Sequence, residues 1–301
     1  MRFVTFEQSG AVAPGVVQGD RVTPLRALAE ALPSHLRDAV ASARDVADVA
    51  GLDGVVAALH AALKDAPGSP AVPLRSVRLL SPVVSPGRVI GVGLNYRSHA
   101  EEQGARIPRQ PILFAKWSDS VVGPGATVAI PYAEAEVDYE CEVAVVIGRA
   151  GRDIPIESAL EHVFGITALN DLSDRKAQLA ERQWTRAKSF DGFCPMGPAV
   201  VTLDEIPAVG DLAVSTTLNG VMVQQGSTSD LIFDIPTLVA FASQGTTLRP
   251  GDVIATGTPS GVGFVKDPPV YLRPGDVVTV AVEHVGELPT VIGAIAERTS
   301  S

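Results

Sequence analysis

Cysteine is nearly absent from the sequence: two residues among 301, Cys141 and Cys194. Two thiols cannot build a disulfide framework or a thiolate zinc site. No apolar run reaches the ~18 residues that a membrane-crossing helix requires. The opening Met1-Arg2-Phe3-Val4-Thr5-Phe6-Glu7 carries no apolar leader, so the expected location is cytoplasmic. Positive charge is scarce as well. Lys and Arg number 24 against 34 Asp and Glu, a net charge of -10. That balance argues against nucleic acid or an anionic membrane as partner. Phosphate-loop and serine-elbow motifs are missing: no Gly-Lys-Ser/Thr follows the glycines of 256–263, and no Gly-x-Ser-x-Gly occurs. Gly91-Val92-Gly93 is not a dinucleotide fingerprint, because Tyr96 stands where the third glycine would be.

What remains is apolar and turn-rich. Apolar residues make up 46% of the chain, enough for a sizeable core, and charged residues only 19%, which excludes disorder. With 28 Gly and 23 Pro, many tight turns and a β-rich body are expected. Short strands are predicted at 2–6, 13–17 and 19–22. Helical spacing follows in Leu25, Leu28, Ala29 and Leu32, and again in Val55, Val56, Leu59 and Leu63. Residues 65–73 contain three prolines and read as a linker. Two units are therefore expected: a small α+β accessory domain at 1–72 and a catalytic domain at 73–301. From Val89 onward, strand-like runs alternate with Pro/Gly turns, with sparse helices at 98–104, 157–162, 174–182 and 235–243. Leu248-Arg249-Pro250-Gly251-Asp252-Val253 recurs as Leu272-Arg273-Pro274-Gly275-Asp276-Val277, and each copy suits a type II turn that launches a strand. Residues 1–80 carry eight basic and eight acidic residues, so the whole surplus of negative charge lies beyond them.

Part of that surplus is concentrated in one segment. Acids occupy every second position from Glu134 through Glu136, Asp138 and Glu140 to Glu142, just before the apolar Val143–Ile147 run. In an extended chain, alternate side chains share a face, and burying like charges unpaired costs several kcal/mol. Either the face is solvated or a divalent cation is held by its oxygens, which suit Mg²⁺, Mn²⁺ or Ca²⁺ rather than zinc. Asp171 follows another apolar run; it reads as a third ligand or as a helix N-cap. His99 and Glu102 are three apart, the spacing of a base and its orienter on one helical face, or of an ordinary surface pair. Lys116 and Lys188 read as surface lysines or as partners of an anion. His35, His60, His162 and His284 read as structural. The 256–263 loop is either a plain tight loop or a nest of N–H groups that, with the Thr258 hydroxyl, holds a carboxylate.

Glu140-Cys141-Glu142, Asn170-Asp171-Leu172-Ser173, Lys188-Ser189-Phe190-Asp191 and the Thr256–Gly263 loop, with Gly93-Leu94-Asn95-Tyr96 and His99 before them, resemble the fumarylacetoacetate hydrolase family across roughly 85–293. The resemblance implies a β-rich α+β fold, a mixed β-sandwich roll, with a small N-terminal α+β domain as in the longer bacterial members. It implies a homodimer, and Mg²⁺ or Mn²⁺ on Glu140, Glu142 and Asp171. It implies a catalytic His99–Glu102 dyad on a mobile short helix, with Lys188 beside it. Lys116, Arg175, Thr258 and Gly257 would contact a small anionic substrate. The family pattern Ser-Ala-Arg-Asp reads here Ser173-Asp174-Arg175-Lys176. The implied activity is hydrolysis of a C–C bond in a β-diketo acid, an acylpyruvate or fumarylacetoacetate-like compound, through a metal-stabilised enolate. The alternative on the same site is an oxaloacetate-type decarboxylase or a 2-oxo acid isomerase.

Overall fold

The structure is a computed structural model, and it describes residues 1–65 and 70–296; of the predicted linker, residues 66–69 lie outside the described residues. A mixed twelve-stranded sheet runs in the order Val72–Pro73, Arg21–Pro24, Ala11–Gln18, Arg2–Gln8, Cys194–Thr202, Val163–Asn170, Cys141–Ile147, Val253–Ala255, Val89–Gly93, Ile112–Lys116. Arg78–Leu80 and Val121–Val122 attach to it from the side. A second sheet of five strands is ordered Val221–Ser227, Ala213–Leu218, Val277–Val282, Gly286–Ile295, Thr127–Ile130.

The central strand Cys141–Ile147 shows why the sequence is apolar at every position from Val143 onward. Cys141, Val143, Val145 and Ile147 pack with Val214, Val280, Val282 and Leu288 of the second sheet. Ala144 and Val146 face the other way, into a core shared with Leu25, Leu28, Val46, Val49 and Leu59 of the N-terminal segment. A strand covered on both faces must be apolar throughout. The first residues are joined to this sheet directly, since Arg2 and Phe3 pair with Val201 and Val200. The N-terminal segment thus supplies strands to one end of the sheet and helices to one face. Its predicted helix at Leu25–Leu32 is instead two 3₁₀ turns, Leu25–Ala27 and Ala29–Ala31, followed by the helix Ser34–Ser42; Pro33 removes the N–H that a continuous helix would need.

The repeated turn behaves as its composition dictates. Gly251 and Gly275 have φ of +83° and +93°, open to glycine at no steric cost. Asp252 and Asp276 reach back to accept from the N–H groups of Arg249 and Arg273, at 2.9 and 2.7 Å. Each turn launches a strand, Val253–Ala255 and Val277–Val282. Among the described residues, no helix is long and apolar enough to cross a membrane.

Candidate active site and metal centre

The acidic segment is not one continuous strand face. Only Val137–Asp138 and Cys141–Ile147 are strand, and Glu134 lies exposed in a turn. Five buried like charges in a row would repel, so the acids take separate partners. Asp138 turns to Arg175, accepting from Nε at 2.9 Å, and also accepts from the N–H groups of Gly263 and Phe264 at 2.8 and 3.2 Å. Glu140 and Glu142 continue toward Asp171. Antiparallel register brings the three together: Cys141 lies opposite Asn170, and the N–H of Asp171 donates to the carbonyl of Glu140 at 2.9 Å. One carboxylate oxygen from each of Glu140, Glu142 and Asp171 lies within 4.8 Å of the others, and all three residues are buried. The helix-cap reading belongs to a neighbour, Asp174, which accepts from the N–H of Lys176 at 3.2 Å to start the helix Arg175–Glu181.

Three buried cations surround the trio. Lys188 Nζ donates to Glu140 Oε2 at 2.9 Å, Asp171 Oδ2 at 2.7 Å and Ser173 Oγ at 2.7 Å. Lys116 Nζ donates to Asp171 Oδ1 at 2.6 Å and to the carbonyl of Lys188. Arg175 pairs with Glu140 Oε1 at 2.6 Å while its guanidinium lies 4.4 Å from the Phe264 ring centre. Burial works against the charge of Glu140, but Lys188 and Arg175 prevail and pull its carboxyl down to about 2. Glu142 lacks such a partner. Burial, then Asp171 and Glu140, push it well above the usual carboxylate range, although Gly257 N–H donates to it at 2.8 Å. Burial opposes charge on Lys188, yet Asp171 and Glu140 hold its affinity for a proton above the ordinary lysine value.

Together with Asp138, the four acids outnumber the three cations by one. A divalent ion would reverse that sign, and the donors are hard carboxylate oxygens, so the residues fit Mg²⁺ or Mn²⁺.

The helix Arg97–Glu102 carries the predicted dyad. His99 Nδ1 lies 2.6 Å from Glu102 Oε1, and the other Glu102 oxygen accepts from Gly261 N–H at 2.7 Å. With Nδ1–H given to the carboxylate, Nε2 holds the lone pair. The Gln103 amide nitrogen lies 2.7 Å from it. Asn95 fixes the approach to this helix, donating to the carbonyls of Phe233 and Thr256 at 3.0 and 2.8 Å.

His99, Gln103, Glu140, Arg175, Lys188 and Thr258 line one cavity of about 70 Å³. A groove of about 830 Å³ between the helix Val55–Asp65 and the start of Val163–Asn170 contains none of these groups. In the Thr256–Gly263 loop, Gly257 N–H is occupied by Glu142, and Thr258 Oγ1 accepts from Gln224 at 2.9 Å. Sequence reasoning gave no role to Gln178 or Trp184, left Asp138 within the acidic segment, and did not connect Gln103 with His99. The spacing of Gln103, one turn beyond His99 on the same face, was the available signal; the bond from Arg175 to Gln178 at 2.9 Å had a comparable one.

Residues 88–293 match the family model described as fumarylacetoacetate (FAA) hydrolase C-terminal. An oxaloacetate tautomerase of Xenopus laevis is 37% identical over 295 residues, covering 96% of this chain and 89% of that protein. The solved fumarylacetoacetate hydrolase of Exiguobacterium antarcticum superposes with a TM-score of 0.82 at 36% identity, over 98% of this chain and 99% of the other. A maleylpyruvate hydrolase from Sphingobium sp. SYK-6, solved with manganese(II) and pyruvate, gives 0.79 at 31% identity, over 98% and 100% of the two chains.

Proposed function

The chain belongs to the fumarylacetoacetate hydrolase family of enzymes, and on that footing we propose that it interconverts the keto and enol forms of a short 2-oxo acid of the oxaloacetate type. The observation that carries this reading is the single small cavity shared by His99, Lys188, Arg175 and Glu140. We assign Glu140, Glu142 and Asp171 as ligands of Mg²⁺ or Mn²⁺. Bound there, the ion would supply Lewis-acid stabilisation to the oxygens of a 2-oxo acid. The protein's own residues do the rest. Arg175 attracts the substrate carboxylate, while Lys116, wholly buried and outside the cavity lining, holds Asp171 in place. His99 Nε2, freed from Gln103, removes a proton from the carbon next to the 2-oxo group and returns it to the oxygen. Glu102 keeps the imidazole in the required tautomer and stabilises its protonated form. Lys188 donates toward the oxygen where negative charge develops, a contribution worth about 3 kcal/mol where one donor has been removed.

Hydrolysis of a β-diketo acid is the second reading, favoured by the likeness to maleylpyruvate hydrolase. There His99 would take its proton from water. The oxaloacetate tautomerase matches at 37% identity and this hydrolase at 31%, so hydrolysis, placed first by the sequence reading, comes second. Residues 73–301 are assigned as the catalytic unit and 1–72 as an accessory layer, since every residue of the site lies in the former.

The test is a panel of oxaloacetate and acylpyruvates with Mg²⁺ or Mn²⁺, scored for enol absorbance, for CO₂ and for pyruvate plus a free acid. Accelerated enol–keto conversion is expected, falling about 10²–10⁴-fold in His99→Ala, the range for a positioned general base. No metal-dependent reaction with any of them would overturn the proposal.

A further inference from the structure

Gly91 and Gly93, dismissed as a nucleotide motif, have a different use. They lie two apart on the strand Val89–Gly93 and so on one face. A Cβ at Gly91 would fall 2.2 Å from the Phe114 ring, and one at Gly93 would fall 2.2 Å from Trp184 Cζ3. The glycines leave bare backbone on which two aromatic rings rest. Phe114 reaches it from the neighbouring strand, where it is paired with Gly91. Trp184 reaches it from the short helix Trp184–Ala187 that leads into Lys188. The two rings meet edge to face, with centroids 5.6 Å apart.

Both rings line the cavity that holds His99 and Lys188. The space measures about 70 Å³. Ordinary ligand pockets run to roughly 300–1,000 Å³. Phe114 also covers Lys188 Nζ, 5.1 Å from its ring centre, so it is tied to the polar side of the site. Trp184, like Phe114, is half-buried. With Phe114 held over Lys188, Trp184 is the aromatic wall whose side chain can be cut back without uncovering that ammonium.

We infer that Trp184, laid on Gly93 and braced by Phe114, sets the size limit of the site, admitting 2-oxo acids whose far group is no larger than a carboxylate or a methyl. The inference rests on the reading of the site as one for 2-oxo acids. It adds which side chain excludes the longer members.

The experiment measures, by calorimetry on the Mn²⁺-loaded protein, the affinity for straight-chain 2-oxo acids from pyruvate to 2-oxohexanoate, and in parallel the turnover of oxaloacetate and of acylpyruvates of growing chain length. The wild-type protein should lose about tenfold or more in affinity across the series, since one excluded methylene is worth about 10–200-fold. Trp184→Ala should bind pyruvate within about threefold of wild type and hold the longer acids at least about tenfold more tightly than wild type does. Trp184→Phe should fall between the two, and it serves as the measured variant if the alanine protein does not fold. A wild-type protein that binds the whole series equally would overturn the inference. So would variants that keep the wild-type length dependence, or that lose pyruvate along with the rest. Binding that follows chain length in a protein without turnover would sink the proposed reaction and leave the size limit standing.

Discussion

Replacing Lys188 with Met keeps the length of the side chain and deletes its charge. The ammonium makes three hydrogen bonds of 2.7–2.9 Å, and its partners Glu140, Asp171 and Ser173 are all buried. Breaking a buried pair from one side leaves an uncompensated charge and costs about 3–5 kcal/mol. For a chain of this length, each kcal/mol moves the melting temperature by about 2 °C, so Lys188→Met should melt about 6–10 °C lower without metal. Two reliefs follow from the same physics. The stranded acids can take up protons, so the deficit should be larger at pH 8 than at pH 5.5. A divalent cation can replace the lost charge: at a hundred times its dissociation constant it contributes about 2.7 kcal/mol. Saturating Mn²⁺ should therefore raise the melting point of the variant by more than it raises that of the wild type. Differential scanning calorimetry with and without EDTA reads both effects. A metal-free variant that melts within about 2 °C of wild type, below the shift for one kcal/mol, would refute the assignment of Lys188 as the buried counter-charge.

Other consequences can be checked independently. Asp171→Asn should weaken Mn²⁺ binding in calorimetry by more than the roughly 10–100-fold lost when an outer-shell partner is removed; unchanged binding would dissolve the proposed ligand set. Glu142 is held above the usual carboxylate range by burial and by Asp171 and Glu140, so it releases its proton at higher pH than an ordinary carboxyl. A raised folded-state value gives stability that is full below the ordinary carboxyl range and is lost as pH rises through the raised value. Metal binding should expel that proton, so affinity for Mn²⁺ should rise with pH, and the apparent enthalpy should vary with the buffer's heat of ionisation. Equal enthalpies in phosphate and Tris would contradict this. At the two matching turns, Gly275→Ala should cost about 1–2 kcal/mol for the left-handed backbone alone. Gly251→Ala should cost more, because its Cβ would also fall 2.8 Å from that of Ala47; chemical denaturation separates the two.

The parts of this protein that were legible in the sequence are those whose cause is local. The Pro-Gly-Asp turns close on themselves within four residues, and both were readable. The alternation of acids, the His99–Glu102 spacing and the strand Cys141–Ile147 are likewise short-range patterns. What was hidden depends on partners far along the chain. The acids looked like one face because alternation is all a single strand can say, whereas Asp138 is drawn away by Arg175 and by the loop at Gly263. Gly91 and Gly93 gave no hint of purpose because the rings that need them come from Phe114 and Trp184. The attachment of Arg2–Gln8 to Cys194–Thr202 is a pairing across two thirds of the chain, and no periodicity reports such a contact.

The loop after Val253–Ala255 explains how such distant groups hold a fixed register. Its backbone donors serve three acids with different work. Gly257 N–H binds Glu142 at 2.8 Å, Gly261 N–H binds Glu102 at 2.7 Å, and Gly263 N–H binds Asp138 at 2.8 Å. Hydrogen bonds to charged groups contribute about 1.5–3 kcal/mol each, and backbone donors carry no side-chain entropy to lose. Through Glu142 the loop positions the carboxylate trio; through Glu102 it orients His99; through Asp138 it sets Arg175, which in turn holds Glu140. A glycine-rich loop that on sequence grounds would grip a substrate therefore also spends its donors on the protein's own carboxylates. Displacing it by a fraction of an ångström would move imidazole, carboxylates and guanidinium together, a coupling that a set of separate side-chain contacts could not enforce.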